Sequence, residues 1–192
     1  MRGFYYLNDM TAIIIVIALV LWIVLWIVST QRKLVSADEI CGNSLSQIGV
    51  QQQSRWDAVS ALVKLTKSYN EHEYNTLVDV IKQRKEIGSG STAADVNAQE
   101  QALTSAFSQI KLVAERYPEL KADATYAKTM DSLNSYENKV RTSRMVYNDS
   151  VTKYNRLVRQ FPDSFVASML KFNTKEYLQE VSEKKDMPEI NI

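Results

Sequence analysis

The sequence is poor in residues that end helices or form tight turns. It has five glycines and three prolines in 192 positions, and no proline precedes Pro118. Because Gly and Pro are the strongest local breakers of regular structure, this scarcity argues against a fold of short strands and hairpins and favours long helices. A single cysteine, Cys41, excludes an internal disulfide and a thiolate metal cluster.

An excess of charge of one sign is also absent. The 23 basic and 22 acidic residues are well mixed and give a net charge of +1, so no basic stripe predicts nucleic-acid binding. The only histidine, His72, stands between Glu71 and Glu73, with no second histidine for a zinc motif or a facial triad. No phosphate-binding loop, dinucleotide fingerprint or nucleophile elbow occurs. We therefore expect no catalytic residue, no metal and no cofactor.

A long hydrophobic run is present near the N-terminus. Residues 12–28 are seventeen consecutive apolar positions, enough to span a hydrocarbon core of about 30 Å at about 1.5 Å per residue. We interpret residues 10–30 as a transmembrane helix after a short segment, residues 1–9. The alternative is a cleaved secretory signal, but the run is longer than a signal's apolar core and no convincing cleavage site follows.

The orientation of this single-pass anchor depends on few charges. Arg2 precedes the span, and Arg32 and Lys33 follow it, which favours a cytoplasmic C-terminal domain by one residue. The expected partner of residues 10–30 is the lipid bilayer, most simply the plasma membrane of a bacterium.

The rest of the chain has the apolar period of helices. Apolar residues recur every three or four positions from Leu45 to Ile87, and "GSGST" at 88–92 is the clearest turn signal. The pattern predicts an all-α, up-and-down antiparallel helical bundle over residues 31–176, followed by a polar tail at 177–192. The expected helices cover residues 34–87, 93–116, 123–161 and 164–171.

A heptad series runs along the third of these helices. Tyr-Asn occurs at 147–148 and again at 154–155 within it. Aromatic residues at this spacing are typical of a coiled-coil-like packing seam, and the alternative is a groove for a partner's helix or strand. The candidate residues for either role are Tyr126, Tyr147, Tyr154 and Phe161.

Charged residues interrupt the apolar faces of two helices. Glu137 and Arg144 occupy phases where a bundle helix normally has Leu or Val, and Arg55 and Asp57 on the first helix could meet them. We expect these four residues to form a structural polar cluster that sets helix register, since an unpaired buried charge is costly. The alternative is that the charges extend into water.

Three stretches carry a family resemblance. They are "SRWDAVSALVKLTKSYNEHE" at 54–73, "RYPELKAD" at 116–123 and "YENKVRTSRMVYNDSVTKYNRLVRQFPDSFVASMLKF" at 136–172. In order and spacing they resemble the LemA family of bacterial membrane proteins, although the family has a proline near the position of Ser60. The resemblance implies a membrane anchor followed by an all-α bundle, and it supplies no reaction.

The function expected from these features is organisational. The chain would act non-enzymatically as a scaffold or adaptor in the bacterial envelope or at an intracellular membrane, through contacts with other membrane or envelope proteins or as a homo-oligomer. The alternative is an accessory or regulatory subunit of a membrane enzyme complex.

Overall fold

The computed structural model describes residues 2–179, with side chains described from residue 10 onward. This part of the chain contains helices and no strand, which confirms the all-α prediction. The sequence predictions for residues 180–192 lie outside the described residues. The helices, in chain order, are α1 (Arg2–Thr66), α2 (Glu71–Ile81), α3 (Ala93–Arg116), α4 (Pro118–Ala122), α5 (Ala124–Arg159) and α6 (Asp163–Met169).

Helix α1 is continuous over 65 residues and includes both the apolar run and the first helix of the bundle. It is the one helix in the described part of the chain that is long and apolar enough to cross a membrane, and its apolar window is not buried. Side chains 10–25 are exposed, Trp26 and Ile27 are half-buried, and Thr30 and Leu34 are buried. Packing of α1 therefore begins where its apolar run ends.

The expected helix 34–87 is interrupted in the structure. Helix α1 ends at Thr66, and α2 begins after Asn70, whose side chain accepts hydrogen bonds from the backbone N–H groups of His72 and Glu73 at 2.8 and 3.2 Å. An Asn at this position satisfies N–H groups that have no partner inside the helix, so it favours a new helix start over continuation. The break occupies residues 67–70.

Residues 82–92 connect α2 to α3 without forming a helix, although helix was expected as far as residue 87. The Gln99 side chain holds this connection: it accepts from the Lys85 N–H at 2.9 Å and donates to the Gln83 carbonyl at 3.2 Å. At Gly49 of α1, an added Cβ would lie 2.0 Å from the Ile87 carbonyl oxygen. The connection therefore approaches α1 closely enough to require glycine.

Capping groups fix the starts of the remaining helices. Thr92 and Asp95 form a reciprocal capping box at the start of α3. Pro118 occupies the first turn of the short helix α4, in a stretch expected to be a link. Asp123 accepts from the backbone N–H groups of Thr125 and Tyr126 at 2.6 and 3.1 Å and so caps α5.

The chain divides into two compact units. The first unit consists of Met1–Ile40 and Thr152–Lys175, and the second of Cys41–Val151 and Glu176–Ile192. The second unit contains the main apolar core, in which Trp56 is buried and donates its indole N–H to Gln99 at 3.2 Å. The buried residues of this core are Trp56, Val59, Leu62, Val63, Leu77, Leu103, Ala106, Ile110, Val113, Ala114, Leu120, Tyr126 and Leu133.

Candidate functional site

The first Tyr-Asn pair of α5 binds the main chain of a segment that follows α6. In the second unit, the Asn148 amide donates to the Leu178 carbonyl at 3.0 Å and accepts from the Leu178 N–H at 2.9 Å. The Tyr147 hydroxyl donates to the Glu176 carbonyl at 3.1 Å. An Asn side chain carries the same donor and acceptor as a peptide unit. Asn148 therefore pairs with residue 178 as a neighbouring β-strand would.

The second pair makes the same contacts inside the first unit. The Asn155 amide donates to the Lys175 carbonyl at 2.9 Å and accepts from the Lys175 N–H at 2.8 Å, and the Tyr154 hydroxyl donates to the Asn173 carbonyl at 2.9 Å. The Lys175 ammonium lies 2.8 Å from an Asp38 carboxylate oxygen and 5.4 Å from the centre of the Tyr154 ring. Lys175 is thus held by both its backbone and its side chain.

The two pairs repeat at different intervals on the two sides of the contact. Asn148 and Asn155 are seven residues apart in a helix, while their partners Leu178 and Lys175 are three apart in a non-helical segment.

The aromatic residues of the expected seam divide into two groups. Tyr126, Tyr147 and Tyr154 are buried, and burial raises the pKa of the Tyr147 phenol, with Cys41 and Glu176 acting in the same direction. Phe161 lies beyond the end of α5 and is 83% exposed. It is therefore not part of a packed seam, because α5 ends at Arg159 and the helical phase does not continue to residue 161.

A buried polar cluster exists in the second unit, and its centre is Glu100. Arg55 lies 2.6 Å from one Glu100 oxygen, and the Gln52 amide donates to the other oxygen at 3.3 Å. Arg144 donates to Asn97 at 3.1 Å and to the Gln179 carbonyl. Burial lowers the pKa of the Arg144 guanidinium, the charge of Glu100 opposes this shift, and Arg55 adds to it. Arg55 and Arg144 thus both interact electrostatically with Glu100.

The other two residues expected in this cluster lie elsewhere. Asp57 is exposed and pairs with Arg84 at 3.1 Å. Glu137 is half-buried, and within residues 2–179 its side chain has no hydrogen bond or ion pair. The structure therefore brings together Arg55 and Arg144 but not Asp57 and Glu137.

Sequence reasoning missed Glu100, although a signal was present. Glu100 lies four residues after Val96 and three before Leu103, both of which are buried. Residues at these spacings share a helix face, so Glu100 was the acid on α3 placed to neutralise an inward-pointing arginine.

A metal or catalytic centre does not emerge from the described residues. Within residues 2–179, no group of three or more His, Cys, Asp or Glu side chains could hold a metal ion. His72 is exposed in the first turn of α2, where its backbone N–H bonds to the Asn70 cap. The polar groups that the described residues bring together are of two kinds. The Tyr-Asn pairs bind main chain, and a buried ion-pair cluster surrounds Glu100.

Over residues 2–179, these features define an all-α protein with one helix that is long and apolar enough to cross a membrane, which is consistent with association with a membrane. The sequence model of the LemA family matches residues 44–192, and the chain belongs to this family. The match begins within α1, after the apolar run, and includes the buried cluster and both Tyr-Asn pairs.

Parts of the chain are also similar to curated magnetosome proteins. The chain is 32% identical over 75 residues to magnetosome protein MamQ 2 of Paramagnetospirillum magneticum. This aligned stretch is 39% of this chain and 28% of the relative. The chain is 25% identical over 96 residues to magnetosome protein MamQ of Magnetospirillum gryphiswaldense. That aligned stretch is 50% of this chain and 35% of the relative. The matched stretches thus span about a third of these relatives' lengths.

Proposed function

We propose that this protein is a single-pass membrane protein whose helical bundle acts non-enzymatically as a scaffold or adaptor in the bacterial envelope or at an intracellular membrane. The observation that carries the proposal is the continuity of α1. The same helix presents exposed, mainly apolar side chains at 10–25, and its first buried side chains are Thr30 and Leu34. Helix α1 thus contains both the proposed anchor and the first buried residues after it.

The Tyr-Asn pairs bind main chain of the protein itself and so support a structural role for these side chains. Asn148 and Asn155 each engage the N–H and the C=O of one residue in a non-helical segment. The likeness to proteins named for the magnetosome adds support for a membrane-associated role.

The test has two stages and uses the full chain in its native membranes. In the first, the membranes are washed with alkaline carbonate, and an anchored protein stays in the pellet. A variant with lysine in place of Leu21 and Val24 is the control, because two charges within the apolar run disfavour insertion. Release of the unmodified chain by the wash would contradict the anchor.

In the second stage, the protein is extracted in mild detergent and its mass is measured by light scattering after size-exclusion chromatography. A homo-oligomer, or complexes with several membrane proteins at variable ratios, would support the scaffold. Purification at a fixed ratio with one enzyme, whose turnover changes when this chain is removed, would contradict the scaffold and support the accessory-subunit alternative.

A further inference from the structure

Helix α6 and the residue pair before it present apolar side chains to the outside of the protein. Phe161, Phe165 and Met169 are 83%, 65% and 52% exposed and follow one another at four-residue spacing. Val166 and Ala167, on the other side of α6, are fully buried. Single exposed apolar residues are ordinary, but three within nine residues, two of them phenylalanines, indicate a surface that something apolar covers.

The position of α6 along α1 is fixed by a hydrogen bond within the first unit. The Thr30 hydroxyl donates to a carboxylate oxygen of Asp163, the first residue of α6, at 3.1 Å. Thr30 is two residues beyond Val28, the last residue of the apolar run, which corresponds to about 3 Å along a helix axis. The start of α6 is thus level with the end of the segment that we assign to the hydrocarbon core.

Charged residues near this level have the sign that suits lipid phosphates. Arg32 and Lys33 follow Thr30 on α1, and Arg159 and Lys171 flank α6; all four are exposed. Asp163, the one acid between Arg159 and Lys171 in the sequence, is half-buried and already accepts from Thr30. Apolar side chains on one face with exposed Lys and Arg beside them are typical of segments that lie in a membrane interface.

We propose that α6 lies in the interface of the bilayer that α1 spans, with Phe161, Phe165 and Met169 inserted among the lipid headgroups and upper acyl chains. This inference rests on the proposed membrane anchor. A bilayer is the occupant that the geometry selects, because a membrane spanned by residues 12–28 ends at the level of Thr30 and Asp163. A second contact with the same bilayer would restrict the tilt and rotation of the apolar part of α1 within the membrane.

The experiment measures depth in the bilayer with the full chain in vesicles of phosphatidylcholine containing one quarter phosphatidylglycerol. Cys41 is replaced by alanine, and single cysteines at chosen positions carry a polarity-sensitive fluorophore. Quenchers are attached to the lipids, either at the headgroup or along the acyl chain. Phe161→Cys and Phe165→Cys report on α6, and both positions are mostly exposed, so substitution there removes little packing.

Two further positions make the result decisive. Glu39→Cys is the control for an exposed site outside the bilayer, since it lies nine residues beyond Thr30, about 14 Å further along α1. Leu21→Cys tests the anchor itself, because Leu21 lies inside the apolar run.

We expect headgroup quenchers to reduce emission several-fold more at Phe161→Cys and Phe165→Cys than at Glu39→Cys, and acyl-chain quenchers to act most strongly at Leu21→Cys. Quenching at Leu21→Cys with none at the two α6 positions would leave the anchor standing and overturn the placement of α6. A label at Phe165→Cys that is shielded from water but not quenched by lipid would also overturn it and would indicate a protein occupant. No quenching at Leu21→Cys would overturn the anchor, and with it this inference.

Discussion

Asn148 and Leu178 are joined by two hydrogen bonds, one in each direction, although thirty residues separate them in the sequence. The Leu178 side chain is also buried. A helix thereby holds a non-helical segment through a side-chain amide in place of a strand backbone. The neighbouring Tyr147 extends the contact to Glu176. Residues 176–178 are positioned by these side chains.

Asn148→Ala should loosen this segment. Loss of both hydrogen bonds should lower the free energy of unfolding by about 1–2 kcal/mol, since each intramolecular hydrogen bond contributes roughly 1 kcal/mol net. Hydrogen exchange of the Leu178 amide should accelerate in the full chain. Asn134→Ala, at an exposed position on the same helix, is the matched control. Equal exchange rates in the two variants would show that Asn148 does not hold the segment.

Glu100→Gln should be the most damaging of the charge substitutions. It leaves Arg55 in a buried site without its counter-charge, and breaking a buried pair by removing one partner costs about 3–5 kcal/mol. Asp57→Asn removes the exposed pair with Arg84 and should cost less than about 1 kcal/mol. Urea unfolding of the full chain in detergent measures both. Similar losses for the two variants would contradict the central position of Glu100.

Gly49→Ala discriminates between helix propensity and steric contact. Propensity alone predicts a gain of about 1 kcal/mol, because alanine is a better helix former than glycine. The structure predicts a loss instead, since the new Cβ would lie 2.0 Å from the Ile87 carbonyl oxygen. The expected loss is about 1–3 kcal/mol, as for overpacked sites. Gly90→Ala, where no atom lies within 4 Å of the added Cβ, should be close to neutral.

Cys41 should be unreactive toward a membrane-impermeant maleimide in intact cells and after permeabilisation, because its side chain is fully buried. A usable topology probe is Glu39→Cys combined with Cys41→Ala, since residue 39 is exposed. A cytoplasmic bundle predicts labelling of this variant only after the membrane is permeabilised. Labelling in intact cells would place the bundle on the outer side.

Acid should weaken the start of α3. The side-chain hydrogen bond from Thr92, followed by the backbone hydrogen bond from Thr92, lowers the pKa of Asp95 below its ordinary value of 3.8. A lowered pKa in the folded state means that the contribution is complete above the unfolded value and is lost as pH falls through the folded value. Hydrogen exchange of the amides in the first turn of α3 should therefore depend less on pH below about 4 in Asp95→Asn than in the unmodified chain. Asp149→Asn, an exposed change on α5, should leave that dependence unchanged.

Several features followed from the sequence because they depend on local chemistry. In a membrane, seventeen apolar residues in a row can satisfy their backbone hydrogen-bonding groups only as a helix or in a closed barrel. In the rest of the chain, apolar residues recur with the period of a helix, about 3.6 residues, and this period predicted an all-α fold. Thr92 and Asp123 act on backbone groups two or three residues away, so the starts of α3 and α5 were predictable.

Other features depended on residues that are distant in sequence. The break at Asn70 was not compelled by the pattern, since an Asn can sit within a helix or cap one; in the structure its amide also donates to the Tyr117 hydroxyl at 2.6 Å, 47 residues away. The pairing of Arg55 with Glu100 rather than Glu137 likewise depended on which helices pack together. Glu100 and Glu137 both lie on helix faces that point toward the protein interior, and helical phase alone does not select between them.

The Tyr-Asn repeat shows the same division. Its seven-residue period placed both pairs on one helix face, and the sequence determined that much because helical geometry fixes which residues share a face. Only the tertiary structure decided that the asparagines bind main chain at Lys175 and Leu178 and that Phe161 lies exposed beyond the helix. The physical reason is that an asparagine side chain can hydrogen-bond to any peptide unit. Its partner therefore depends on which main-chain segment the fold places next to it.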